Sequence, residues 1–533
     1  MNLLYDPGWM SQVEWMLIAG FIFSFLVAFG MGANDVANAY GTSVGSGVLR
    51  LWHAYVLSAI LNTLGALLLG YKVTETISKD IFHIDIYNVH SQYNKTTGSY
   101  SLVASCNQSA IVNQSSDCTT YTSADYMVGE LGALTGAAFW LILASVTKLP
   151  VSAAHSIVGA SIGFSLVLRD ASSIRWTRLI SIVLSWVASP LIAGAFGSIF
   201  YVIIRFAVMH RRDPFEAALK IVPVFFWFTL AVNMFTVFYG GSKYLYFNEI
   251  SWWLAFIISN AIGIVVALLI HFAFEGWIRR RALNVYEREM ANTSKDALNQ
   301  RWIIPYDLSG DIAKNTELDR PNNEEAKEQL REEDADEFVG NHSNACQLLI
   351  MPVKEDRKAI EVFNLLQILS ASFLMFSHGS NDTANAVGPL VGMWMSYKTG
   401  LASTPSADRL DIELLILFGA IGQVIGLVML GHRVIKTLGK EITEVTAPSG
   451  FAVELGAAFT TLIASKLGIP VSTTHCAVGA VVFVGLTRTG TLSGVSWTKF
   501  RDIIISWLVT LPVSGAVAAL VADLLGHFLL GSV

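Results

Sequence analysis

Long apolar runs broken by short polar stretches recur from one end of this 533-residue chain to the other. Runs near or above the ~20 residues that cross a bilayer as a helix lie at about 15–40, 51–71, 127–147, 150–169, 177–206, 216–239 and 251–277. After a polar interval they resume at about 360–394, 410–433, 450–467, 470–487 and 503–530. The pattern predicts an all-α polytopic membrane protein of about twelve transmembrane segments. Almost nothing joins the segments that end near Lys148 and begin at Pro150. They are either two tight spans or a re-entrant hairpin, whose backbone must be covered by protein or a watery cavity.

The polar positions inside the runs repeat. Gly32-Ala33-Asn34-Asp35-Val36-Ala37-Asn38-Ala39 follows the apolar run Trp15 to Met31, and Gly379-Ser380-Asn381-Asp382-Thr383-Ala384-Asn385-Ala386 follows Val362 to Phe376. Pro150-Val151-Ser152-Ala153-Ala154-His155 is likewise answered by Pro470-Val471-Ser472-Thr473-Thr474-His475. Upstream, Gly136-Ala137-Ala138-Phe139 and Ala144-Ser145 match Gly456-Ala457-Ala458-Phe459 and Ala464-Ser465. Four blocks in the same order make this an internally duplicated chain. Ionisable side chains within a span are costly and mark function by default. Matched, Gly-interrupted segments in two halves point to the binding site of a transporter.

Composition agrees: 53% of residues are hydrophobic and 14% charged, against about 25% charged in soluble domains. The basic clusters give orientation. His210-Arg211-Arg212, Arg279-Arg280-Arg281, Arg433 with Lys436 and Lys440, and Arg488 with Lys499 and Arg501 all follow odd-numbered spans. The positive-inside rule places that side in the cytoplasm and both termini outside. Asp6 and Glu14 before the first run argue against a cleaved signal peptide, as does the internal recurrence of Ala37-Asn38-Ala39 at Ala384-Asn385-Ala386. The loop at about 72–126 then falls outside, with glycosylation sequons at Asn94, Asn107 and Asn113 and with Cys106 and Cys118 available for a disulfide. Asn292 and Asn341 also sit in sequons, but on the cytoplasmic side, where they stay unmodified.

The first motif lies on an inward span and its copy on an outward one, which predicts two inverted-topology repeats. The expected division is a first repeat at 1–206, two linking helices at 207–278, a disordered cytoplasmic linker at 279–359 and a second repeat at 360–533.

On a helix Asn34, Asp35 and Asn38 share a face. Carboxylate and amide carbonyl oxygens suit a small hard cation, and amide N–H groups suit an anion. Ser152, Ser472, Thr473 and Thr474 follow a proline at a helix start, where free N–H groups and the positive end of the helix dipole favour an oxyanion. Neither motif core contains arginine. An anion bound by neutral donors needs a co-bound cation, which is the design of a sodium- or proton-coupled oxyanion symporter. Asn34, Asn38, Asn381 and Asn385 join the four hydroxyl residues as candidate anion ligands, and Asp35 and Asp382 are candidate cation ligands. His155 and His475 pack between helices or touch the anion or a proton, and His378 precedes the second motif. With no nucleotide motif, an ATP-driven pump has no support.

The paired motifs resemble those of the inorganic phosphate transporter (PiT) family, the eukaryotic sodium-dependent phosphate symporters. The resemblance covers about 15–275 and 360–530. It implies sodium-coupled import of inorganic phosphate at the plasma membrane, with no enzymatic activity, no organic cofactor and no nucleic-acid partner, and leaves a homo-oligomer open. It also implies external termini, a cytoplasmic central loop, a glycosylated first external loop and essential carboxylates at Asp35, Asp382, Glu130 and Glu454, all taken as sodium ligands. Two departures stand out. Ala153-Ala154 replaces hydroxyl residues, and Asn62 stands where relatives usually carry Glu, opposite Gln423 of the second half. Asn62, Gln423 and His378 are therefore auxiliary candidates. Competing readings are a proton-coupled phosphate or a sulfate carrier of the same fold, and a surface receptor that no longer transports.

Overall fold

A computed structural model describes residues 9–79, 81–87, 90–94, 99–103, 123–169, 171–242, 245–301, 355–402, 409–432 and 442–527. Its helices are α1 (Trp9–Gly45), α2 (Leu51–Leu69), α3 (Tyr71–Lys79), α4 (Ser123–Thr147), α5 (Ala153–Leu168), α6 (Trp176–Ile204), α7 (Pro214–Phe238), α8 (Trp252–Leu269) and α9 (Glu275–Arg301). After the central interval come α10 (Arg357–Thr399), α11 (Arg409–Leu430), α12 (Ala447–Leu467), α13 (Thr473–Thr489) and α14 (Trp497–Leu525). Every predicted span falls on a helix. Ten described helical segments are long and apolar enough to cross a membrane, while α5 and α13, of 16 and 17 residues, are shorter. In the loop after α3, β1 (His90–Asn94) pairs antiparallel with β2 (Ser99–Val103), a small addition to the helical reading.

The central interval departs from expectation at its start. A π-helical turn at Ile270–Phe274 carries α8 directly into α9, so residues 279–301 are helix rather than disordered linker. The reason is local: this stretch lacks Gly and Pro after Gly276, and charged neighbours hold its start. His271 pairs with Glu275 at 2.9 Å, and Arg279 bridges to Glu275 and to Glu216 on α7. Residues 302–354 lie outside the described residues, as do Asn107, Asn113, Cys106, Cys118 and Asn341. Asn94 closes β1.

The helix pairings of the two halves correspond. α1 packs on α4 and α11, as α10 packs on α12 and α2, and α1 meets α10 between them. α14 packs on α4 and α5, as α6 packs on α12 and α13. The packing units therefore cut across the sequence halves, each taking two helices from the other. Glycines set the crossings. A Cβ on Gly32 would lie 1.8 Å from the Gln423 carbonyl oxygen, and one on Gly379 2.0 Å from that of Asn62. Gly65 and Gly426 approach the carbonyls of Phe376 and Phe29 equally closely. Small residues admit this contact between backbones, as is usual where membrane helices cross.

The hairpins α4–α5 and α12–α13 each turn through a Pro-Val-Ser segment. Lys148 takes the left-handed conformation (φ 63°) where Gly468 (φ 68°) serves the second turn. Ser152 and Ser472 cap the short helices, accepting from the backbone N–H of His155 and His475 at 3.3 and 3.2 Å.

Candidate functional site

The asparagines of the repeated motifs hold those turns in place. Asn34 Nδ2 donates to the Leu149 carbonyl at 2.8 Å and Asn34 Oδ1 accepts from Val151 N–H at 3.1 Å. Asn381 Nδ2 likewise donates to the Ile469 carbonyl at 3.2 Å and to Ser465 Oγ at 3.1 Å. Asn34 lies eleven residues before the end of α1, about 16 Å in at 1.5 Å per residue. Asn34 therefore meets the α4–α5 turn well inside the length of α1; Val146 to Leu149 of the turn stay exposed, and burial begins at Pro150-Val151-Ser152. The sequence makes Asn34 a candidate anion ligand, whereas in the structure both ends of its amide bind the turn.

Around the turns the remaining motif residues converge from both halves. Thr473 Oγ1 donates to Asp382 Oδ2 at 2.5 Å, and Asn385 Nδ2 donates to Asp382 Oδ1 at 3.3 Å. Asn38 Nδ2 donates to Thr474 Oγ1 at 2.8 Å, and Thr474 donates in turn to the Val151 carbonyl at 3.1 Å, with Asp35 Oδ1 3.5 Å away. His378 Nε2 lies 3.3 Å from Asp382 Oδ2 and 3.8 Å from Asp35 Oδ2. The three residues form a buried cluster of the kind that can hold a metal ion.

Asp35 Oδ2, Asn38 Oδ1, Asn381 Oδ1 and Asn385 Oδ1 are buried with no hydrogen-bond donor among the described residues. Orphaned buried acceptors are costly, and four acceptor oxygens on the two motif helices suit a hard cation. The halves differ at this point. Thr473 supplies Asp382 with a donor, whereas the matching residue beside Asp35 is Ala153, which has none.

The auxiliary residues form a chain behind His378. Asn62 Nδ2 donates to Gln423 Oε1 at 2.6 Å, which also accepts from Thr383 Oγ1 at 2.9 Å. Asn62 Oδ1 is then left to accept from His378 Nδ1 at 2.8 Å. That fixes the proton on Nδ1 and turns Nε2 toward the aspartates.

The two glutamates part company. Glu454 on α12 accepts from Thr42 and Ser370 at 2.5 Å each, Ser43 at 2.7 Å and Gln367 at 3.3 Å. Glu130 is equally buried, but its Oε1 has no partner among the described residues. Neither glutamate joins the aspartate cluster. Sequence reasoning missed Thr42, Ser43, Gln367 and Ser370. The i, i+3 spacing of Gln367 and Ser370, and two hydroxyls one helical turn past the first motif, were the available signals.

His155 and His475 sit where α5 and α13 meet. Their rings lie 4.5 Å apart, His155 against the Trp186 ring at 3.8 Å and His475 against the Trp507 ring at 3.7 Å. His475 Nδ1 reaches the Trp186 carbonyl at 3.0 Å. Pro190 lacks the N–H that would have bonded this carbonyl within α6, so the histidine takes it.

A family model described as the phosphate transporter family matches residues 31–518. The sodium-dependent phosphate transporter 1-A of Danio rerio is 30% identical, over 98% of this chain and 96% of its own length. The sodium-dependent phosphate transporter 2 of Homo sapiens is also 30% identical, over 98% and 99%. A solved structure described as "The sodium-dependent phosphate transporter" superposes with a TM-score of 0.69 at 28% identity, covering 96% of this chain and 99% of that one.

Proposed function

This chain belongs to the phosphate transporter family, and from that premise we propose that it imports inorganic phosphate with sodium across the plasma membrane by alternating access. One observation carries the reading: two aspartates far apart in sequence meet in one buried cluster with hydroxyls from a hairpin turn. Sodium is held by Asp35 and Asp382, with carbonyl oxygens of Asn38 and Asn385 completing its shell. Phosphate lies against the starts of α5 and α13, taking hydrogen bonds from Ser152, Ser472 and free backbone N–H groups, and from Thr473 and Thr474 once their hydroxyls turn from Asp382 and the Val151 carbonyl. The phosphate charge is met by the co-bound cation rather than by arginine, so neither ligand binds well alone. Glu454, ringed by Thr42, Ser43, Ser370 and Gln367, is a second sodium position, apart from the first. Names of relatives that specify sodium and phosphate support the assignment.

Radiolabelled phosphate uptake in transport-deficient cells tests it. Replacing sodium by choline is expected to reduce uptake to background, and excess sulfate to leave it unchanged. Persistent uptake in choline would shift the reading to proton coupling, and competition by sulfate to a broader oxyanion carrier.

In this reading the termini and the 72–126 loop face outward, and the halves are inverted repeats. Glycosidase is expected to increase the gel mobility of the wild type, and the triple change Asn94→Gln, Asn107→Gln, Asn113→Gln to abolish the shift. Sugar at Asn292 or Asn341 instead would reverse the orientation.

A further inference from the structure

Away from the motif cluster, a groove of about 900 Å³ opens on the bundle surface between α7, α8 and the end of α12. Its walls are aromatic and aliphatic, among them Trp227 and Phe235 on α7, Phe256 on α8 and Phe459 on α12. Along α7 and its C-cap it runs from Trp227 to Tyr239, twelve steps, or about 18 Å at the helical rise. One leaflet of the hydrocarbon core is about 15 Å deep. The groove therefore has the length of one acyl chain in one leaflet.

Its mouth carries charge. Lys72, on α3, and Lys466, at the end of α12, both line it. Lys72 Nζ donates to the Lys466 carbonyl at 3.2 Å, and Lys466 Nζ donates to the Tyr239 carbonyl. Each ammonium has three donors, and among the described residues neither has a carboxylate partner. Two half-buried cations side by side repel one another unless an anion lies between them.

We infer that this groove binds one phospholipid, with an acyl chain along α7 and the headgroup phosphate between Lys72 and Lys466. Charge complementarity selects this occupant. A free phosphate would use only the mouth and leave the apolar wall uncovered. A second copy of the chain, related by a two-fold, would bring the same pair of lysines toward these. The lipid would sit close to the transport machinery, because Thr76 on α3 donates to the Gly468 carbonyl at 2.8 Å, in the turn that leads to Ser472.

The test uses the full chain, purified and exchanged into mixed vesicles of equal phosphatidylglycerol and phosphatidylcholine. The lipid still held after detergent extraction is then counted by native mass spectrometry. Wild type is expected to keep one phospholipid, with phosphatidylglycerol favoured at least about tenfold, as two lysines at a membrane surface would give. Lys72→Gln with Lys466→Gln should remove the preference. Ala231→Trp, which fills the groove from α7, should remove retention, and the lysine variant keeps the test decisive if the tryptophan is not tolerated. Equal retention of the two lipids by wild type, or an unchanged preference in the lysine variant, would overturn the inference. So would displacement of the lipid by inorganic phosphate alone, or cross-links between copies through groove residues.

Discussion

Asp382→Asn is expected to abolish sodium-dependent phosphate uptake while the protein still reaches the cell surface. The substitution keeps the shape of the side chain and removes one charge. At the effective dielectric suited to protein sites, a unit charge about 4 Å from a cation contributes about 4 kcal/mol. Its loss corresponds to roughly three decades in sodium affinity, which puts the site out of reach of external sodium. A second effect is local: Asp382 accepts from Thr473 at one oxygen and from Asn385 at the other. An amide keeps one acceptor oxygen, so with that oxygen toward Asn385 its NH2 faces Thr473, whose hydroxyl must reverse from donor to acceptor. Asp35→Asn is the cleaner variant, because Asp35 Oδ2 has no donor to lose. It should fold as wild type and fail in uptake just as completely. Surface biotinylation alongside uptake separates transport from delivery, and normal sodium-dependent flux in either variant would remove that aspartate from the mechanism.

Glu454→Gln is expected to lower uptake at least about tenfold and to raise the sodium concentration needed for half-activation. The carboxylate receives four donors from two other helices, α1 and α10. Hydrogen bonds to a charged group contribute about 1.5–3 kcal/mol each, so α1, α10 and α12 are joined firmly there. A glutamine offers one acceptor oxygen and presents an NH2 where hydroxyls already donate. Ser370→Ala, which keeps the charge and removes one donor, should have a smaller effect in the same direction. An unchanged sodium activation curve in Glu454→Gln, measured at matched surface density, would leave Glu454 a structural residue only.

The spans and the pairing of motifs were legible because apolar length and block repetition are properties of the chain itself. Asp35 and Asp382 stood out for the same reason: a charge inside an apolar run needs an explanation wherever the run packs. Partners on other helices were not legible. Thr42, Ser43, Gln367 and Ser370 read individually as ordinary small polar residues in membrane helices, and only packing turns them toward Glu454. Asn34 looked like a ligand because its neighbours do, but it meets a turn 115 residues away. Continuation of α8 into α9 was hidden by polarity, which suits an exposed charged helix as well as a disordered segment.

The exchange of helices between halves reaches back to how such a chain can arise. α2 and α6 complete the surroundings of α10, α12 and α13, while α11 and α14 do the same for α1, α4 and α5. A half-length polypeptide would insert with its motif helix bare and its second and last helices lacking anything to cover. Two copies of it could close those faces on one another, making the contacts that this chain now makes within itself. Fusing the two genes would leave each contact in place while freeing the copies to diverge. Ala153-Ala154 against Thr473-Thr474, and a Glu130 with one oxygen unpartnered against a Glu454 with four donors, are differences that identical subunits could never have held apart.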